Sequence, residues 1–204
     1  MSETATNIVD GFHTLRVFCH QLAKMLRTAD GMMEEAEWTS AGNRAVGSTS
    51  KVIGEPDEWL PSQFFRGYEN EDYPDFVPFV SVILRDPVVD NETEIDEALI
   101  SAGHLEFEDG KEVSSLDWAW AFLAHAWMAD EDGTRKDDGT LYSVNPIEDE
   151  GWGEKDWKGV ARVNTFALPL DEITSAAALK EKVIQPLLEM LSQHGSQAGN
   201  SPEE

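Results

Sequence analysis

IVDGFHTLRVFCHQLAKMLRTADGMMEEA, residues 8–36, is the stretch that decides the fold. Its apolar residues recur alternately every four and every three positions, which is the spacing of one face of an α-helix. Phe18, Met25 and Met32 lie beside that face and widen it. A helix with so broad an apolar face must bury it against another element. The apolar row, called the seam below, consists of Ile8, Phe12, Leu15, Cys19, Leu22, Leu26, Ala29, Met33 and Ala36.

The polar side of the same stretch is basic. No acidic residue lies between Asp10 and Asp30, although the chain as a whole is rich in acidic residues. Basic side chains three or four residues apart lie on one side of a helix. They either pair with acidic loops of the same chain or offer a docking strip to an acidic partner. This basic stripe consists of His13, Arg16, His20, Lys24 and Arg27.

The composition is that of an acidic globular protein. The 204 residues include 40 Asp and Glu against 15 Lys and Arg, a formal charge of -25. Seven Trp, nine Phe and 41% apolar residues nevertheless exclude a disordered chain. The acidic residues are interspersed, which favours adaptation to concentrated salt and predicts a halophilic source. At about 1 M salt the screening length is about 3 Å, so the mutual repulsion of these charges largely disappears.

The acidic residues are concentrated in the middle of the chain. Residues 51–100 carry thirteen acidic and three basic residues, and residues 101–150 carry the same numbers. Such a surface disfavours a membrane surface or a nucleic acid as a direct partner. The lone Cys19 allows no intramolecular disulfide, and the first residues lack the pattern of a secretory signal. No stretch approaches the length of an apolar membrane span. We therefore expect a soluble cytoplasmic protein.

The remaining patterns predict an α+β fold with a long N-terminal helix, a mostly antiparallel sheet of four to five strands, and a C-terminal helix packed on the sheet. The boundaries predict one domain at 8–193, with a disordered N-terminus at 1–7 and a disordered acidic tail at 194–204. Pro186 is expected to kink the last helix because proline lacks a backbone donor. The predicted elements after the first helix are a short helix within 57–66, strands at 76–84, 98–108, 141–144 and 160–168, and a helix from about 174.

Residues 116–128, LDWAWAFLAHAWM, fit either a strand or a helix. The aromatic residues alternate, as they would along a strand. The strand is the favoured alternative because the hairpin turn signal Asp109-Gly110 leads into it. A capping serine and four alanines favour the helix. The long acidic segment 129–158 then reads as a loop of functional importance or high mobility.

The motif search yields no catalytic residue, no cofactor and no metal site. His13 and His20 are too far apart on one helix to share an ion, since seven residues rise about 10 Å. The Asp-Gly pairs after Asp130 do not follow the calcium-loop pattern. Ser48 and Lys51 have the S-x-x-K spacing but lack its companion motifs. Dinucleotide, phosphate-loop and nucleophile-elbow motifs are missing from the sequence.

These observations favour a non-catalytic interaction or regulatory module that acts through its first helix. A helix of 29 residues is roughly 45 Å long, longer than a small sheet needs, so part of the seam is expected to meet another protein or a second copy in a dimer. One alternative is a hydrolase with a site near His104, Trp118, Trp120 and the 129–158 loop. Another is a nucleic-acid mimic or inhibitor that uses residues 51–150. The predicted interaction residues are His13, Arg16, His20, Lys24, Arg27, Leu15, Leu22 and Leu26.

Overall fold

The computed structural model describes residues 3–42, 45, 61, 63–84, 98–107, 139, 141–144 and 160–198. It has the predicted mixed α+β architecture: a long N-terminal helix, an antiparallel sheet and a C-terminal helix. The first helix begins inside the segment 1–7, and the last helix extends past residue 193, so both continue beyond the expected domain limits. The predicted strand or helix at 116–128 lies outside the described residues.

Helix α1 spans Glu3–Glu34 and is about 48 Å long at 1.5 Å per residue. Its end is a Schellman motif, in which the Trp38 and Glu37 amides donate to the carbonyls of Met33 and Glu34, each at 3.0 Å. Glu37 supplies the left-handed turn with φ 67°. Met33 and Trp38 are both buried in the same core cluster, which is the apolar contact that accompanies this motif.

The sheet is antiparallel throughout, and its strands follow the order β1-β2-β3-β4-β6-β5. β4 pairs with β3 along one edge and with β6 along the other. Both edges of β4 are therefore occupied within the described residues, and the segment expected to form a hairpin after Asp109-Gly110 lies outside them. The strands are β1 Thr39–Ser40, β2 Gln63–Glu69, β3 Phe76–Ile83, β4 Leu99–Phe107, β5 Tyr142–Val144 and β6 Val160–Pro169.

The helix predicted within 57–66 is wrong at 63–66, where the chain forms strand β2. Phe64, Arg66 and Tyr68 alternate with residues on the opposite face of the strand, and five residues of β2 pair in register with β3. The adjacent aromatic residues at 64 and 65 are compatible with either structure, and strand pairing decides between them. The strands predicted at 76–84, 98–108, 141–144 and 160–168 are confirmed.

The core lies between the two helices and one face of the sheet. Apolar side chains of β2, β3, β4 and β6 form this face and meet the second half of α1 and the C-terminal helix. The other face of the sheet is buried as well: Phe65, Phe79 and Leu105 are at most 3% exposed. The main members of the core are Leu22, Leu26, Ala29, Met33, Phe64, Tyr68, Val80, Val82, Ile100, Phe166, Leu179, Val183 and Leu187.

Gly103 marks a close approach of β4 and β6. A Cβ at this position would overlap the backbone oxygen of Asn164 and lie 2.7 Å from the Cα of Thr165. Both are backbone atoms of the neighbouring strand, which cannot move aside without breaking the pairing. The centre of the sheet therefore requires glycine here.

The C-terminal helix, α2, is made of an α-helical turn Ala176–Leu179, a π-helical turn Lys180–Ile184 and an α-helix Gln185–Ala198. It follows a 3₁₀ turn at Leu170–Glu172. Ser175 caps it, because its side-chain oxygen accepts a hydrogen bond from the Ala178 amide at 3.1 Å. The wide turn comes directly before Pro186, whose ring would collide with a carbonyl in a regular α-helix.

The wide turn also explains an unusual spacing. Leu179, Val183, Leu187 and Leu191 recur every four residues and are all buried. In a regular α-helix the first and last of them, twelve residues apart, would lie about 120° apart around the axis. A π-helical turn holds one extra residue, so the difference falls to about 20° and all four face the core.

Candidate interaction surface

Helix α1 has a covered half and an uncovered half. From Leu22 onward, the seam residues Leu22, Leu26, Ala29 and Met33 are buried. No side chain between Asn7 and Gln21 is fully buried. The uncovered half is fifteen residues, about 22 Å of helix, and it continues the same apolar row past the edge of the core.

The uncovered half exposes large apolar side chains. Phe12 is 70% exposed, Val9 66%, Ile8 56% and Val17 41%. Leu15 is half-buried. Single exposed apolar residues are common on protein surfaces, but Ile8, Phe12 and Leu15 lie on one side of α1, within about 60° of one another around its axis, and such a group is typical of a contact surface. These three residues are called the apolar patch below.

The basic stripe lies in water. All five of its residues, from His13 to Arg27, are exposed. The ion pairs found among the described residues are Asp30 with Arg66 and Glu172 with Lys182, and neither involves the stripe. Within that part of the chain, the expected pairing of the stripe with the protein's own carboxylates is not observed. Its charge is accessible to a partner.

The predicted interaction residues therefore fall into two groups. Leu22 and Leu26 are 4% and 3% exposed and pack in the core, so their side chains serve folding in this structure. Leu15 and the five basic residues remain accessible to solvent. Helical periodicity could not separate the two groups. It shows on which face of the helix a residue lies, but not how far the sheet and α2 extend along that face.

A groove of about 510 Å³ runs between α1 and the start of α2. Phe18, Leu22 and Met25 line it from α1, and Ile173 and Leu179 line it from the other side. Its volume lies within the range of sites that hold small molecules or groups of side chains. It adjoins the apolar patch, because Phe18 lies three residues, less than one helical turn, after Leu15.

The charge around this groove is positive. Lys24, a member of the basic stripe, lines it. Ser175 and Ala176, the cap and first residue of α2, line it too. The beginning of a helix carries partial positive charge. The described acidic residues do not line the groove, so its electrostatic character is positive within a strongly acidic chain.

A polar cluster fixes the covered half of α1 to the sheet. The Arg66 Nε donates to Asp30 Oδ1 at 2.9 Å, and its Nη1 donates to the Gly42 carbonyl at 2.8 Å. Its Nη2 also donates to Ser40 Oγ. One guanidinium on β2 thereby joins α1, β1 and Gly42, two residues after β1. We call these contacts the Arg66 anchor.

Tyr68 lies beside the Arg66 anchor and is fully buried. No described residue has hydrogen-bonding geometry to its hydroxyl. Burial raises the pKa of Tyr68 well above its ordinary value, and the negative charge of Asp30 raises it further, against a smaller opposing effect of Arg66. The hydroxyl is therefore neutral and acts as a structural group. The sequence offered one signal for this cluster, a single cation between Phe64 and Tyr68 on an apolar strand face.

His104, the described residue of the hydrolase hypothesis, is completely buried in β4. Its Nε2 lies 3.0 Å from the Asn164 amide nitrogen, and its ring lies 5.3 Å from that of Phe76. The groove between α1 and α2 does not include it. Trp118, Trp120 and most of the 129–158 loop lie outside the described residues, as does much of the 51–150 region of the mimic hypothesis.

The described ranges contain neither a metal-binding cluster nor a membrane-spanning helix. Their His, Cys, Asp and Glu side chains form no group of three or more that could hold a metal ion. Their helices include none that is both long and apolar enough to cross a membrane. Comparison with protein-family models, with curated proteins and with solved structures finds no match.

Proposed function

We propose that this protein is a non-catalytic interaction or regulatory module whose contact surface is the uncovered half of α1. The observation that carries the proposal is the apolar patch, which leaves Phe12 70% exposed on a helix whose seam is buried from Leu22 onward. Burying one large apolar side chain is worth about 1.5–3 kcal/mol. A partner on this patch recovers that free energy at several positions at once.

The Arg66 anchor supports the same function. It holds the covered half of α1 against β1 and β2, so the uncovered half is presented on a fixed base. A contact surface held in place before binding loses less conformational entropy when the partner arrives. The anchor therefore fixes the position and direction in which the uncovered half leaves the core.

Photo-crosslinking in extract of the source organism at its native salt tests the proposal. The full chain carries a photoreactive phenylalanine analogue at Phe12 or, as the control, at Glu181, which is exposed on α2. We expect a discrete crosslinked species from position 12 and none from position 181. A second copy or another protein in that species supports the function. A position 12 that yields no species beyond those of the control contradicts it.

We further propose that the module works in the cytoplasm of a salt-adapted cell. The support is the charge of -25 from 40 acidic and 15 basic residues. Repulsion among these charges weakens the compact state in dilute buffer and is screened at about 1 M salt. The urea midpoint of unfolding should therefore rise steeply between dilute buffer and about 1 M KCl. A midpoint independent of KCl would remove this part of the proposal.

A further inference from the structure

We infer that the partner of α1 is an acidic amphipathic helix of another protein, seated on the apolar patch and in the adjoining groove. The inference rests on the proposed function and names its partner. Such a helix carries apolar residues at positions i, i+3, i+4 and i+7, with Asp and Glu beside them.

The size of the surface requires the groove as well as the patch. The uncovered half of α1 is about 22 Å long and 10–12 Å wide, so its projected area is only about 250 Å². Stable protein complexes bury about 800 Å² on each partner. A helix placed along the patch reaches further contacts by inserting side chains into the groove beside Phe18 and Met25.

The charge of the surface selects an acidic partner. Arg16 lies four residues after Phe12, beside the patch, and Lys24 lines the groove. Residues 11–29 contain no acidic side chain. The start of α2 on the opposite wall adds partial positive charge. Carboxylates beside the partner's apolar row would therefore meet positive groups on both sides.

The same charges disfavour a second copy as the occupant. A two-fold symmetric contact places the patch against itself, so the basic side chains that flank it on one copy, such as Arg16, would lie near those of the other. With residues 11–29 free of acidic side chains, the contact offers no complementary charge. Like charges placed together oppose association.

Two synthetic peptides of about 18 residues test the inference. Both carry leucine at the same i, i+3, i+4 and i+7 positions, and the flanking residues are glutamate in one and lysine in the other. Fluorescence anisotropy with the full chain is measured at the lowest KCl at which circular dichroism shows it folded, and again at about 1 M. We expect the glutamate peptide to bind about tenfold more tightly at the lower salt, with a smaller preference at the higher.

Variants of the chain locate the binding. Phe12→Ser should weaken binding of the glutamate peptide about tenfold or more at both salt concentrations, because the lost contact is apolar. The double variant Arg16→Glu with Lys24→Glu should reverse the preference between the peptides. The matched control is Arg162→Glu with Lys180→Glu, which makes the same change of charge at exposed residues outside the surface and should preserve the preference.

Three outcomes overturn the inference. They are equal affinity for the two peptides at the lower salt, affinity unaffected by Phe12→Ser, and crosslinking at position 12 that yields only a second copy. The last result, confirmed as a dimer by light scattering, would still support the proposed function while rejecting the acidic partner. A position 12 without any specific crosslink would contradict the proposed function itself.

Discussion

The two halves of α1 carry the same sequence pattern and have different surroundings. Both place apolar residues at alternating intervals of three and four, yet Leu26 is 3% exposed and Phe12 is 70% exposed. The covered half meets the sheet, α2 and the Arg66 anchor. The uncovered half extends beyond the edge of the layer formed by the sheet and α2. Amphipathic spacing therefore identifies which face of a helix is apolar. The topology of the rest of the chain decides how much of that face is covered.

The largest expected effect is the difference in stability lost when an apolar residue is substituted in the covered or the uncovered half of α1. Leu26→Ala should lower the free energy of unfolding by about 2–5 kcal/mol, because it leaves a cavity in the core. Phe12→Ala should change it by less than about 0.5 kcal/mol. Urea unfolding at constant KCl, followed by circular dichroism, measures both. Similar losses from the two variants would show that Phe12 is buried in solution.

The next prediction concerns the Arg66 anchor, which joins the covered half to β2. Arg66→Ala should lower the free energy of unfolding by about 2–3 kcal/mol, because it removes charge-assisted hydrogen bonds and leaves Asp30 without its cation. The control is Lys182→Ala. The ion pair of Lys182 with Glu172 is more than 40% exposed on both sides, so its loss should cost under about 1 kcal/mol. Equal effects would mean that the anchor contributes no more than a surface pair.

A smaller effect appears at alkaline pH. The pKa of Tyr68 is raised in the folded protein, so folding holds a proton that the unfolded chain releases near pH 10. The contribution of Tyr68 to the free energy of unfolding is fully present below about pH 10. Above that pH it falls by about 1.4 kcal/mol per pH unit. Tyr68→Phe should make the alkaline decline shallower than in the parent protein. Parallel declines between about pH 10 and 11 would show that Tyr68 is accessible to solvent.

The smallest effect uses one glycine in each half. Neither Gly11 nor Gly31 has a heavy atom within 4 Å of an added Cβ, so alanine fits at both. Gly31→Ala should stabilise the protein by up to about 1 kcal/mol through helix propensity. Gly11→Ala should change global stability by less than about 0.5 kcal/mol, because the uncovered half can open without global unfolding. Equal gains in the urea midpoint would show that α1 unfolds as one unit.

Several elements could be predicted because their signals are local. The seam predicted α1, the β-branched and aromatic run predicted the strand at 76–84, and the alternation at 105–108 predicted the strand at 98–108. These elements and the strand predicted at 160–168 are confirmed. The helix predicted within 57–66 was wrong where it overlaps β2, since pairing with β3 is a long-range contact that local spacing does not contain. The second neighbour of β4, beside β3, was not predicted for the same reason: it is β6, some sixty residues later.

The candidate surface was predictable only in part. The basic stripe and the apolar row were visible in the sequence, and Phe12 and the five basic residues that α1 exposes belong to them. The limit at Leu22 depends on where the sheet and α2 end. The groove has one wall at residues 170–179, far from α1 in the chain. Both features arise from tertiary packing, which cannot be inferred from the apolar spacing within α1.

The wide turn at Lys180–Ile184 has a consequence for the evolution of chain length. Because it holds one residue more than an α-helical turn, loss of one exposed residue there would leave Leu187 and Leu191 facing the sheet. Elsewhere in α2, the same deletion would rotate every following side chain by about 100°. The segment before Pro186 is therefore a place where homologous chains that lack this proline can differ by one residue and keep the same core.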